Sequence, residues 1–97
     1  MKILIKENIA KNFVFQELKN LKLKPVNSTC IAETPCLKLI DRFGNEIFRI
    51  DVRNDAYFNG EKLWYLSDLF SIDIVDYKQM LKTYLTDVLN IKVNRII

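Results

Sequence analysis

The segment from Asp73 to about Asn90 has the most regular pattern in the chain, and it limits the possible folds more than any other stretch. At about 100° per residue, its apolar residues fall on one half of a helical wheel and its polar residues on the other. The apolar half contains Ile74, Tyr77, Met80, Leu81, Tyr84, Leu85, Val88 and Leu89. A stripe this wide predicts a long helix that packs against a core. Asp73 and Asp76 lie at its start, where carboxylates cap the backbone and favour the helix dipole.

A second helical pattern runs from Asn8 to about Lys22 and predicts another long helix. We expect its apolar arc to be buried; the arc consists of Ile9, Ala10, Phe13, Val14, Leu18 and Leu21. The opposite face carries Lys11, Phe15, Lys19 and Lys22. Pro25 ends the pattern, because the residue before a proline is pushed out of helical geometry.

The residues between the two helical patterns predict short strands. The predicted strands are residues 29–33, 36–40, 46–53, 57–58 and 62–66. Alternation is strict in 46–53, so we expect Phe48, Ile50 and Val52 to face the core. The other side of that strand then carries Arg49, Asp51 and Arg53.

Asn59-Gly60 is predicted to be a hairpin turn, because both residues tolerate positive φ. A helical turn at residues 68–70 should follow the strand after it. Residues 2–5 fit either an edge strand or the first turn of a helix, and residues 91–97 fit a final strand. We expect Trp64 to lie in the core.

These elements predict an α+β fold: an antiparallel sheet of three to five short strands, packed in two layers against two long helices. With 97 residues, 49% of them apolar, the chain can build one sizeable core. We therefore expect a single compact domain spanning residues 1–97.

The residue types that are missing exclude most catalytic chemistry. The chain contains no histidine, which removes His general bases, His-activated nucleophiles and His metal ligands. Two cysteines are too few for a four-ligand zinc site built from Cys and His. No phosphate-binding, dinucleotide-binding or calcium-loop motif occurs. We expect no enzymatic activity, no catalytic residues, no metal and no cofactor.

Cys30 and Cys36 are spaced so that the two side chains could lie on neighbouring strands. The first residues lack the continuous apolar stretch and the cleavage site of a signal peptide. No apolar run approaches the roughly 20 residues of a membrane span, so we expect no membrane contact. A cytoplasmic location is the default, and there free buried thiols are favoured over a redox pair.

The charge is unevenly distributed, although the net charge is only +3. Residues 1–24 contain six lysines and two glutamates, whereas residues 54–90 contain three lysines and six acidic residues. The basic helix therefore favours a protein partner with an acidic surface. The predicted contacts are Lys11, Phe15, Lys19 and Lys22, with the ring as an anchor and the lysines steering the partner. Packing of Phe15 under residues 2–5 or under a returning C-terminal strand is the alternative.

Arg49 and Arg53 are possible nucleic-acid contacts on the predicted sheet. We favour another interpretation, in which Arg49, Asp51 and Arg53 form a solvated face of the sheet and Asp51 neutralises part of the positive charge. Nucleic-acid binding is also disfavoured by the acidic balance of residues 54–90, because DNA-binding helices usually bring Lys and Arg to the phosphates.

The stretch "RFGNEIFRI … YFNGEKLWYLSDLF" resembles the opening of the Bro-N domain of phage antirepressors. The matching residues are Gly60, Glu61, Trp64, Asp68 and Leu69. The resemblance covers residues 43–70, about a quarter of the chain, and implies a glycine-bearing turn before an aromatic strand and then a helix. The insert "DVRNDA" and the missing glycine after "DLF" depart from that pattern, and the first 40 residues have no counterpart.

The size, the layout and the residue types with A/T-rich codons are similar to those of small phage-encoded inhibitors of host proteins, including anti-CRISPR proteins. We therefore expect a small non-enzymatic protein-binding module, of which such a phage or mobile-element inhibitor is one kind. A nucleic-acid-associated accessory or antirepressor-like protein is the first alternative, and a self-assembling structural subunit is the second.

Overall fold

The computed structural model describes residues 2–30, 33–69 and 72–97, with the side chains of all of these except residues 2–8, 64, 66 and 69. Its helices are α1 (Lys2–Asn20), α2 (Gly60–Leu69) and α3 (Ile74–Thr83), and α3 continues into a π-helical turn (Tyr84–Val88). Its strands are β1 (Lys24–Thr29), β2 (Pro35–Ile40), β3 (Glu46–Ile50), β4 (Asp55–Phe58) and β5 (Arg95–Ile96).

The five strands form one sheet in the order β1-β2-β3-β4-β5. The first three pairs are antiparallel, and β5 adds to β4 in parallel. The predicted α+β class is confirmed. The prediction of two long helices is wrong, because α1 has 19 residues while α2 and α3 have ten each.

The core lies on one face of the sheet. Leu39 is opposite Phe48 in the register, and Leu37 is opposite Ile50, so these side chains share that face. Leu39, Phe48 and Ile50 belong to one buried cluster, and the partly buried Leu37 packs against it. The cluster also contains residues from all three helices and the π-helical turn, namely Val14, Leu18, Leu63, Tyr77, Met80, Leu81, Tyr84 and Leu85. The apolar stripe predicted for residues 73–90 is thus confirmed at its centre. The cap is confirmed as well, since Asp73 Oδ2 accepts a 3.0 Å hydrogen bond from the Val75 N–H.

The buried side of α1 differs from the predicted arc. Ala10, Val14 and Leu18, at intervals of four residues, are buried, whereas Ile9 is 58% exposed. Phe15 is half-buried, and its ring lies edge-on to Tyr84 with the centroids 5.3 Å apart. The prediction that Phe15 lies opposite the buried side is wrong, because α1 is rotated about its axis so that its Phe15 flank faces the π-helical turn.

Glu17 interrupts the predicted arc, and the structure accounts for it. Glu17 is half-buried and lies beside the hydroxyl of Tyr65 on α2. Burial, and then the neighbouring Glu17 carboxylate, raise the pKa of the Tyr65 phenol. This carboxylate therefore links α1 to α2.

Asn59-Gly60 begins a helix and does not form the predicted hairpin. The Asn59 carbonyl accepts the N–H groups of Lys62 and Leu63, both at 3.1 Å, and the Asn59 N–H donates to the Ile47 carbonyl at 2.8 Å. Residues 62–66, predicted as a strand, and residues 68 and 69, predicted as a separate turn, all belong to α2. The side chain of Trp64, which we predicted to lie in the core, is outside the described set. Asparagine favours helix caps as much as turns, and burial of Leu63 selects the helix.

Two turns with the same construction join β2 to β3 and β3 to β4. In the first, Asp41 Oδ1 accepts the N–H groups of Phe43 (2.9 Å) and Asn45 (2.8 Å). In the second, Asp51 Oδ1 accepts those of Arg53 (2.9 Å) and Asp55 (3.1 Å). The residue three positions after each aspartate has positive φ, +87° at Gly44 and +63° at Asn54. We call these the aspartate turns.

The second aspartate turn explains a wrong prediction about the strand at 46–53. β3 ends at Ile50, so Val52 lies in the turn and is 57% exposed instead of buried. Phe48 and Ile50 face the core as predicted.

Cys30 and Cys36 form a disulfide, so the expectation of two free thiols is wrong. The β1–β2 register pairs Ser28 with Cys36, which brings the Cys30 Cα within 5.8 Å of the Cys36 Cα. The strand predicted at 29–33 instead precedes Cys30 as β1, and residues 31 and 32 lie outside the described part of the chain. Because such bonds are usual in oxidising compartments, the disulfide weighs against the cytoplasmic expectation.

Candidate functional site

Five cationic side chains form what we call the basic surface: Lys11, Lys19, Lys22, Lys24 and Arg42. All five are exposed. None forms an ion pair with another described residue. The basic surface therefore keeps its charge available to a molecule outside the chain.

Local structure brings four of these cations to one end of the sheet. Lys22 has a φ of +54°, which reverses the chain at the end of α1 and leads it into β1. The Arg42 N–H then donates to the Leu21 carbonyl at 3.1 Å, which ties the first aspartate turn to the end of α1. Lys24 is paired with Ile40, the residue just before that turn.

The helix dipole explains only part of this arrangement. Lys19 and Lys22 lie at the C-terminal end of α1, where a positive charge stabilises a helix. Lys24 and Arg42 belong to a strand and a turn, so that explanation does not apply to them. A surface that attracts anionic groups accounts for all four.

Phe43 projects from the same end. Its side chain is 73% exposed, and the Arg42 guanidinium lies 4.9 Å from the centroid of its ring. Burial alone would raise the pKa of the Asp41 carboxyl, but hydrogen bonds from Asn45 and Phe43 outweigh burial and hold the pKa below its usual value. The carboxylate that fixes the turn is therefore ionised at neutral pH, and the ring is presented by a defined backbone.

The predicted contact residues on α1 are brought together only in part. Lys11, Lys19 and Lys22 are exposed, and Lys11 Nζ lies 5.5 Å from the centroid of the Phe15 ring. Phe15 itself packs against the core on one side, where its ring meets Tyr84, and this weighs against the predicted anchor. The predicted alternative placed Phe15 under residues 2–5 or a C-terminal strand, and the side chains of residues 2–5 lie outside the described set.

Arg49 and Arg53, the possible nucleic-acid contacts, are paired with carboxylates of their own chain. Arg49 Nη2 lies 2.9 Å from Glu46 Oε2. Arg53 Nη2 lies 3.3 Å from Asp51 Oδ2, and Arg53 Nε lies 3.8 Å from a carboxylate oxygen of Asp55. These partners neutralise the two arginines, in contrast to the cations of the basic surface.

A cleft of about 330 Å³ lies beside these two arginines. Asp51 and Tyr57 line the cleft with them, and the Tyr57 hydroxyl donates to Asp51 at 3.3 Å. Burial opposes ionisation of Asp51, but hydrogen bonds from Asp55, Arg53 and Tyr57 lower its pKa. The cleft therefore holds a carboxylate as well as two cations, so Asp51 offsets part of the positive charge of its lining.

Within the described ranges, no group of three or more His, Cys, Asp or Glu side chains could hold a metal ion. No helix in the same ranges is both long and apolar enough to cross a membrane. Comparison of the chain with protein-family models, with curated proteins and with solved structures finds no match.

Sequence reasoning missed Lys24, Arg42 and Phe43 as members of one surface. The turn at "RFGN" was recognisable, and so was the break before Pro25. The missing information was the hydrogen bond that joins the turn to the end of α1, which connects residues 21 positions apart and has no local signature.

Proposed function

We propose that this protein is a non-enzymatic binding module that docks on an acidic surface of another protein through the basic surface, with Phe43 as the apolar anchor. The observation that carries the proposal is the clustering of unpaired cations at one end of the sheet, where the Arg42 N–H donates to the Leu21 carbonyl at 3.1 Å. The sheet arginines have internal carboxylate partners, whereas the basic surface has none among the described residues.

Unpaired surface cations steer an acidic partner and accelerate its association. Phe43 contributes differently, because burying an exposed phenylalanine is worth about 1.5–3 kcal/mol. The aspartate turn fixes the backbone before binding, so little conformational entropy is lost when the ring docks. The cations thus determine the rate of association, and the Phe43 ring determines how slowly the complex dissociates.

A narrower form of this function is inhibition of a host protein by a phage or mobile-element product, of which an anti-CRISPR protein is one kind. An inhibitor of that class would act by covering an acidic surface that its target uses. Nucleic-acid binding is the second candidate, because unpaired cations also attract phosphates.

The first test is capture of partners from a lysate of the native host, followed by titration with the purified partner that mass spectrometry identifies. Lys24→Glu should slow association by about tenfold at low salt. Lys92→Glu is the matched control, because Lys92 is also exposed and lines a cleft with Asn27 and Ser28 in the second half of β1. It makes the same change in charge and should leave association unchanged.

Phe43→Ala should raise the dissociation rate by about tenfold with little effect on association. Equal effects of Lys24→Glu and Lys92→Glu would show that only net charge matters, and would contradict the proposed surface. Submicromolar binding to duplex or single-stranded DNA that weakens steeply with salt would favour the nucleic-acid candidate.

A further inference from the structure

β1 is the open edge of the sheet. It is six residues long, β2 is its single partner among the described strands, and five of its residues are exposed. Such an edge presents unpaired backbone donors and acceptors that another strand can use. The usual protective features occur only at its start, where Lys24 and Pro25 lie.

The register shows which backbone groups of β1 point outward. The Cys30 N–H donates to the Thr34 carbonyl at 2.7 Å, just beyond the end of the β1–β2 ladder. Hydrogen-bonded pairs alternate along an antiparallel ladder, so Val26 and Ser28 direct their backbone groups toward β2. Asn27 and Thr29 therefore direct theirs outward. Pro25 is also an outward position, which fits a residue that has no N–H to donate.

We propose that a second copy of this chain pairs with β1 in antiparallel orientation, about a two-fold axis at Asn27. In that register the Asn27 N–H of each copy donates to the Asn27 carbonyl of the other. The Thr29 N–H of each copy donates to the Pro25 carbonyl of the other. Both outward donors of each chain are satisfied, and the missing N–H of Pro25 faces only the Thr29 carbonyl at the ends of the ladder.

The composition of β1 fits a second copy. Lys24 is its only charged residue, and the two-fold register places it opposite residue 30 of the other copy, so that no like charges face each other. The other edge of the sheet is unsuited to pairing, because β5 has two residues and contacts α3. Pairing of β1 with β1 therefore closes as a dimer and does not extend into a fibre.

Sedimentation velocity over about a hundredfold range of protein concentration tests the proposal. The wild type should shift from monomer to dimer. Asn27→Pro removes the outward N–H but spares the hydrogen bonds to β2, and it should raise the dimer dissociation constant by at least about tenfold. Asn27→Ala is the matched control, because it keeps that N–H and should dimerise as the wild type does.

Amide hydrogen exchange of the wild type supplies a second measurement if Asn27→Pro fails to fold. The amides of Asn27 and Thr29 should gain protection as concentration rises, whereas those of Val26 and Ser28 should be protected throughout. A wild type that stays monomeric, or an Asn27→Pro variant that dimerises like the wild type, would overturn the proposal. Capture of a strand from a different protein on a monomeric chain would overturn it as well.

Discussion

The two edges of the sheet are secured in opposite ways. β1 has six residues, almost all of them exposed. It is held in place on one side by its pairing with β2 and by the adjacent disulfide. β5 has only two residues, yet Ile96 is buried and the Arg95 guanidinium meets the Asp55 carboxylate at 3.2 Å. Asn94 adds hydrogen bonds to the carbonyls of Asn54 and Arg53, both at 2.7 Å. Side-chain contacts and helical cover, rather than strand length, protect an edge.

The largest expected difference between the edges is in the apolar residues. Ile96→Ala should lower the free energy of unfolding by about 2–4 kcal/mol, because it removes buried atoms and leaves a cavity. Val26→Ala, at a side chain that is 46% exposed, should change it by less than about 0.5 kcal/mol. Urea unfolding measures both, and similar values for the two variants would remove the contrast between the edges.

The disulfide should matter next, and it acts at the β1 edge. Replacing both Cys30 and Cys36 by serine should lower the free energy of unfolding by about 2 kcal/mol, the loop-closure value for a short loop. Adding a reductant to the wild type should have a similar effect, and the serine variant should not respond to it. Labelling of two thiols in the native oxidised protein would contradict the bond.

Asn94 offers a smaller test at the β5 edge. Asn94→Ala removes the side-chain hydrogen bond to the Arg53 carbonyl and should cost about 1 kcal/mol in urea unfolding. Asn27→Ala is a suitable control, because Asn27 is also exposed, has no positive φ, and its side chain makes no hydrogen bond to a described residue. A value near zero for Asn94→Ala would mean that this side-chain hydrogen bond does not help to hold β5.

The aspartate turns, which join the inner strands between the two edges, predict how the sheet responds to acid. The pKa values of Asp41 and Asp51 are lowered in the folded protein, so their stabilising effect is present above the unfolded pKa of about 3.9 and is lost as pH falls through the folded pKa. Urea unfolding from pH 7 downward should show this loss of stability. Asp51→Asn should weaken the dependence on pH below about 4, and an unchanged dependence would contradict the role of its carboxylate.

Local patterns predicted the elements that have a buried face. The stripe on α3, the cap at Asp73 and the core side of β3 all follow from burial that repeats with the helical or strand period. β1 escaped prediction because neither side of it is buried, so "KPVNST" has no alternation. The prediction at Asn59-Gly60 was wrong because the same two residues suit a hairpin and a helix start. Only tertiary contacts separate the two, namely the burial of Leu63 and the hydrogen bond to Ile47.

The basic surface was predictable only in part, for a related reason. The lysines of α1 follow from helical spacing, but the rotation of α1 that buries Phe15 depends on Tyr84, which lies far along the chain. Phe43 joins the lysines through a backbone hydrogen bond between a helix end and a turn. Contacts of that kind depend on the tertiary fold and produce no periodic pattern in the sequence.

The aspartate turns also bear on the order in which the sheet closes. Each turn joins two neighbouring strands across a few residues, whereas the Asp55–Arg95 contact joins residues 40 positions apart. The entropy lost on closing a loop grows with its length, so we expect the β2-β3-β4 meander to close first and β5 to dock only after α2, α3 and the π-helical turn have formed. Until β5 docks, the outer side of β4 is as open as β1. Before β5 docks, the sheet therefore has two unpaired edges, whereas the folded chain has one, at β1. Incorrect strand pairing is expected most during the interval before β5 docks.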